Sequence, residues 1–158
     1  MTEVPSGSRD SRTPGSTPGG AAGNGAGEPD PGDVHAWYTR GLELLGNGSP
    51  AAAAQVLQRA ATAVPEARSI REALARAQFD TGQYAEAARN FRAIIEASPA
   101  EDYAYFGLGL SLSRTGQHAA AVEYLALAAA MRPLKHYIEA LHQARATLEA
   151  RKQAGLDS

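Results

Sequence analysis

From Val34 onward, apolar and polar positions alternate at helical spacing, and the alternation itself recurs every 34 residues. Leu57, Phe91 and Leu125 hold one register, and Ala53, Ala87 and Ala121 hold a second. Gly48, Gly82 and Gly116 keep the same period, as do Pro65, Pro99 and Pro133. Each unit is predicted to be a first helix, a tight turn at the glycine, and a second helix that closes before the proline. The glycine falls where the first helix must end in a left-handed residue, which glycine adopts without a Cβ clash. The proline lacks an amide proton and cannot be carried inside the second helix. Ser49 followed by Pro50 is a helix-start signal, a capping hydroxyl and then a ring that needs no donor. The spacing places three units at residues 34–67, 68–101 and 102–135.

A last amphipathic helix is predicted over residues 136–153, with Ile138, Leu141, Ala144 and Leu148 on one face. Its other face carries Glu139, His142, Gln143, Arg145, Glu149 and Arg151. Such a helix would cover the apolar end of the third unit and turn polar groups to water. Stacked repeats need this kind of cap because each buries its face only against a neighbour.

Residues 1–32 are of another kind. They hold 8 of the 16 glycines and 5 of the 9 prolines, and after Met1 their only fully apolar side chain larger than alanine is Val4. Ordering a backbone costs about 1–2 kcal/mol per residue, and this stretch has little apolar surface to offset it. It is expected to be a disordered tail.

The residues from Val34 to Lys135 resemble the tetratricopeptide repeat family, and the following helix extends the resemblance. Ala36-Trp37-Tyr38, Gly41, Ala53, Leu57, Ala60 and Pro65 carry it in the first unit. Leu74, Ala75, Gly82, Tyr84, Ala87, Phe91 and Pro99 carry it in the second, and Tyr105, Leu108, Gly109, Leu112, Gly116, Ala121, Leu125, Ala128 and Pro133 in the third. A two-helix repeat of this length is the signature of that family. Three departures stand out: Arg40 where the family has leucine, Arg71 where it has an aromatic, and Ile94 where it has a small alanine.

The resemblance implies an all-α fold, a solenoid that is a right-handed superhelix of helix-turn-helix repeats, with its inner groove lined by the first helix of each repeat. Mapped by register, that groove would show Tyr38, Leu42 and Leu45 from the first repeat. Glu72, Arg76, Phe79 and Asp80 would come from the second, and Tyr103, Phe106, Leu110 and Arg114 from the third. This is an apolar and aromatic floor with charges in the middle, suited to an extended or helical peptide. The rings are also open to a second reading, as packing between layers. Arg76 and Arg114 either meet an acidic ligand group or are solvated or paired with Glu72 and Asp80. Some family members clamp a peptide's C-terminal carboxylate with Lys, Arg and Asn. The corresponding positions here are Tyr38, Leu42, Ala73, Tyr103 and Gly107, which cannot supply that hydrogen bonding.

Composition narrows the function further. The formal net charge is -2, with no Lys/Arg cluster, so nothing points to nucleic acid. Basic residues are almost all arginine, with only Lys135 and Lys152 as lysines, which together with the alanine and glycine content suits a GC-rich bacterial source. Cysteine is absent, which removes disulfides and thiolate chemistry. No secretory signal and no apolar run of spanning length is visible, so a cytoplasmic location without membrane insertion is expected. His136 and His142 fall on opposite faces of one helix and cannot share a metal. Gly107 to Leu110 reads Gly-Leu-Gly-Leu inside a helix, lacks a third glycine and follows no strand, so it is packing and not a dinucleotide loop. Glu101 and Asp102 are adjacent at a helix start, where negative charge suits the helix dipole. No nucleophile–base pair, metal cluster or cofactor motif is present in the sequence. The expectation is a non-catalytic adaptor or scaffold, with no cofactor, binding an unidentified protein or peptide in the groove as a monomer or weak dimer. The alternative is an assembly protein that forms homo-oligomers through the same surface or the solenoid ends.

Overall fold

The computed structural model describes residues 33–156. The chain divides into a unit ending at Val34 and a helical unit, His35–Ser158. The expected disordered tail, residues 1–32, lies outside the described residues.

Seven α-helices follow one another and no strand occurs among the described residues: α1 (Val34–Gly46), α2 (Pro50–Ala63), α3 (Arg68–Asp80), α4 (Tyr84–Ala97), α5 (Asp102–Arg114), α6 (His118–Met131) and α7 (Lys135–Gln153). From α2 onward each helix packs on the next, and α3 with α5 and α5 with α7 also touch, so α3, α5 and α7 form one layer. This is the architecture of a helical-repeat solenoid.

The turns inside the hairpins are built as the glycine spacing predicts: Gly48, Gly82 and Gly116 have φ of 77°, 84° and 86°. The helix start at Ser49 works differently. Its hydroxyl makes no capping bond; Pro50 sits in the first turn, and the Ser49 carbonyl accepts from the Ala53 amide at 3.0 Å. His118 is the first residue of α6.

The core repeats with the period. Leu57, Phe91 and Leu125 are buried, as are Ala53, Ala87 and Ala121. Small residues let the helices close: a Cβ on Gly41 would overlap Leu57, and one on Gly109 would meet Leu125 and the Ala121 carbonyl. Ile94, buried where its register mates are Ala60 and Ala128, shares a core cluster with Ala104. At Ala104's register the second unit carries Ile70 and α7 carries Ile138, each following an alanine, Ala60 or Ala128, at the register of Ile94, so across this repeat boundary the large and small residues have changed places.

At the C-terminal end α7 packs on α6 and buries Tyr137, Leu141 and Ala144. Tyr137 was not among the expected apolar positions, whereas Ile138, which was, is only half-buried. The register of Leu74 and Leu108, both buried, is taken in α7 by exposed His142, and that of Ser111 by exposed Arg145. The helix therefore offers a polar face where another hairpin would dock.

Candidate functional site

The odd-numbered helices present two adjoining cavities. The first, about 260 Å³, is lined by Tyr38 and Leu42 of α1, Ser69, Glu72, Ala73 and Arg76 of α3, and Tyr103 of α5. The second, about 170 Å³, is lined by Arg76, Phe79, Asp80, Phe91, Tyr103, Phe106, Gly107 and Leu110. Arg76 and Tyr103 belong to both, so the cavities share a wall. Helical spacing explains the grouping: Glu72, Arg76, Phe79 and Asp80 recur along one face of α3, and Tyr103, Phe106, Gly107 and Leu110 along one face of α5. A larger opening, about 660 Å³, lies on the side of the even-numbered helices. It is walled by alanines, glutamines and Arg59, and it has no aromatic or aliphatic anchor larger than alanine.

Nine of the eleven expected groove residues line these cavities, and two do not. Leu45 is buried, a correction to its expected place in the groove. It follows Trp37 and Gly41 at steps of four, and those two are buried as well, so it belongs to the core stripe of α1 and not to the neighbouring stripe of Tyr38 and Leu42. Arg114 lies beside the second cavity. Its Nη1 donates to the Tyr84 hydroxyl at 2.8 Å, and its guanidinium stands 5.3 Å from the Phe79 ring centre and 5.4 Å from that of Tyr84. It is thus occupied by rings and not by Glu72 or Asp80.

The floor of the second cavity depends on a pairing that sequence reading missed. Phe91, only 2% exposed, lies under the cavity, and a Cβ on Gly107 would overlap its ring. One unit earlier the same two positions hold Leu57 and Ala73. The larger ring and the missing methyl go together. Tyr103 meets Phe91 edge-on at 6.0 Å and Phe106 at 6.2 Å. Phe106 serves two surfaces: besides lining the cavity, it stacks on Tyr137 of α7 at 4.6 Å and meets His136 edge-on at 5.2 Å.

Charges gather at the N-terminal ends of α3 and α5. Burial pushes the Glu72 carboxyl above its ordinary range, Glu101 and Asp102 add to the rise, and Arg68 opposes it. Arg68 is itself bound to Glu101 at 3.5 Å. Burial also raises the Tyr103 phenol, against the nearby Arg76 charge. The Tyr137 hydroxyl donates to Asp102 Oδ2 at 2.7 Å, and Arg132 approaches the same oxygen at 3.9 Å. Burial first, and then that hydrogen bond, raise the Tyr137 phenol strongly. No group of three His, Cys, Asp or Glu among the described residues could hold a metal ion, and no described helix is long and apolar enough to cross a membrane.

Comparison with known proteins bears on this architecture directly. The family model described as tetratricopeptide repeat matches residues 21–68, 38–99 and 72–136 in three overlapping stretches. The chain belongs to the tetratricopeptide repeat family. No curated protein matches it. Among solved structures, the tetratricopeptide array is similar to MamA from Desulfovibrio magneticus RS-1, with 22% identity, 78% of this chain and 70% of that chain covered, and a TM-score of 0.71. The Sgt2 TPR domain from Aspergillus fumigatus gives 16% identity, 83% and 88% coverage and a TM-score of 0.70. The first TPR of Spaghetti (RPAP3), bound to the HSP90 peptide SRMEEVD, gives 14% identity, 78% and 99% coverage and a TM-score of 0.69. These likenesses establish the shared fold.

Proposed function

We propose that this tetratricopeptide array is a non-catalytic interaction module that holds a peptide or a segment of a partner protein in the groove formed by α1, α3 and α5. The observation that carries the reading is the pair of adjoining cavities. One is walled by Phe79, Phe91, Tyr103, Phe106 and Leu110, large enough for one bulky side chain, and the other adjoins it at Arg76 and Tyr103. An apolar anchor site beside a more polar one is the usual layout for peptide recognition. The Spaghetti (RPAP3) neighbour, whose structure holds an HSP90 peptide, supports peptide binding by this fold.

The test replaces groove residues that do not hold the fold together. Leu42, 41% exposed, and Arg76, also exposed, serve this better than Phe106, whose ring also seats α7. Affinity capture from the native lysate by wild type and by a Leu42→Glu/Arg76→Glu variant of unchanged melting is expected to lose the partner from the variant. Identical captures would place binding outside the groove.

Self-association is the second reading, supported by α6. That helix is apolar nearly all round, with Glu123 its only acidic or basic residue besides His118 at its start, and it leaves Leu127 and Met131 exposed one turn apart at 47% and 37%. A buried helix has such a composition more often than a surface one. Sedimentation across micromolar concentrations tests it: a mass that rises with concentration and stops rising in Leu127→Glu supports assembly through α6, and a constant monomer mass removes it.

A further inference from the structure

The two cavities differ in chemistry, and the difference names the ligand. The smaller one is aromatic and aliphatic. The larger one sets a single carboxylate, Glu72, among two tyrosines, Tyr38 and Tyr103. Glu72 is half-buried, and among the described residues no side chain forms an ion pair with it. Arg68, the cation whose charge reaches it, is already bound to Glu101. Glu101 and Asp102 add negative charge. Arg76 lines the cavity too, but it is exposed, and its charge acts on Tyr103. A partly desolvated carboxylate that no ion pair satisfies, beside aromatic rings, is recognition chemistry for a cation. The ring faces attract the positive charge, and the carboxylate accepts its N–H.

We propose that the segment bound in the groove carries a lysine or arginine, which enters the Tyr38–Glu72–Tyr103 cavity, and a bulky apolar side chain, which fills the Phe79–Phe91–Phe106 cavity. This rests on the groove reading given above. The cavities share the Tyr103 wall, so the two side chains stand close together along the bound segment. The raised proton affinity of Glu72 agrees with the assignment, because an incoming cation supplies the compensation that the fold leaves out. The ligand chemistry is opposite to that of an acidic C-terminal tail.

A peptide array separates this inference from the groove reading. Synthetic octapeptides with one fixed Leu or Phe carry Lys, Glu or Ser at each other position in turn, and are probed with the full chain as wild type, Glu72→Gln and Leu42→Glu. Glutamine is a neutral isostere of Glu72, so this variant is expected to melt at least as high as wild type. Wild type is expected to retain Lys peptides about tenfold better than their Ser counterparts at the favoured spacing. Glu72→Gln should lose that preference and keep the preference for Leu or Phe. A preference for Glu peptides, or a Lys preference that survives in Glu72→Gln, overturns the cation assignment and leaves the groove reading in place. Retention that is unchanged in Leu42→Glu, or no retained peptide at all, overturns both.

Discussion

Arg71 and Tyr105 occupy the same register position in successive repeats and make the same bond with different groups. Arg71 Nη2 donates to the Pro65 carbonyl at 2.8 Å, and the Tyr105 hydroxyl donates to the Pro99 carbonyl at 2.9 Å. The proline at the end of each second helix has no helical partner for its carbonyl, and a long side chain from the following first helix supplies one. The arginine at position 71, a departure from the family pattern, thus preserves the function of the aromatic it replaces. It also does more: Arg71 Nη1 donates to Asn90 Oδ1 at 2.8 Å, and Asn90 Nδ2 donates to Gln78 Oε1 at 2.7 Å. The third repeat has Tyr124 and Leu112 at those two positions, with Tyr105 and Tyr124 in ring contact at 6.3 Å.

The polar chain and its aromatic counterpart make a set. Arg71→Leu is expected to cost about 1–3 kcal/mol, because it leaves the Pro65 carbonyl and the Asn90–Gln78 pair short of a donor. Importing the whole third-repeat set, Arg71→Tyr with Gln78→Leu and Asn90→Tyr, should cost less than the single Arg71→Leu change. Urea unfolding of the single and triple variants measures the difference, and a triple variant no better than the sum of its parts would show that the positions act independently.

Gly107 and Phe91 are expected to couple. Alanine in a helix interior gains roughly 1 kcal/mol over glycine, yet Gly107→Ala should destabilise by about 1–3 kcal/mol because its Cβ has to displace the Phe91 ring. Adding Phe91→Leu, the combination already present as Leu57 and Ala73, should restore most of the loss. A thermal-melting double-mutant cycle reads the interaction.

Tyr137→Phe removes the hydroxyl that donates to Asp102 and is expected to cost about 1–2 kcal/mol near neutral pH. The phenol is raised above its ordinary value near 10, so its contribution is fully present below that pH and is lost as pH rises through the folded value. Wild type should therefore lose stability above pH 10 more steeply than Tyr137→Phe. Denaturant midpoints measured across the alkaline range would show it, and parallel curves would contradict it.

Glu72 gives the corresponding acidic case. Its carboxyl is raised above an ordinary value near 4.5, so the protonated form is favoured in the fold, and that contribution disappears as pH rises through the folded value. Glu72→Gln should raise the melting temperature at pH 7 and leave it unchanged at pH 3. Equal melting at both values would mean that the carboxylate is not strained by its surroundings.

What was legible in the sequence was whatever a short stretch of chain decides for itself. Glycine at a left-handed turn, proline after a helix, and the alanine and leucine registers follow from local backbone rules repeated with one period. The groove was legible as far as helical rotation could be inferred. Leu45 shows the limit: it is one step along α1 from the stripe of Tyr38 and Leu42, and only packing against the neighbouring helices decides which stripe is covered. The coupling of Phe91 to Gly107, the seat of Arg114 between Phe79 and Tyr84, and the Tyr137–Asp102 bond join residues far apart in the chain. In isolation each looked like an ordinary aromatic, arginine or glycine. The swap of Leu57 and Ala73 for Phe91 and Gly107 was visible by aligning the repeats, and reading substitutions in register pairs would have found it.

A stack of like units is open-ended by construction, since the face that receives one hairpin resembles the face offered to the next. In this protein α7 interrupts that likeness by residue chemistry. An eighth helix closing onto α7 as α6 closes onto α5 would have to take His142 and Arg145 out of water where Leu108 and Ser111 stand one unit earlier. Two positions thus act as a terminator does in a polymerisation: they make this face of α7 a poor seat for the next like unit.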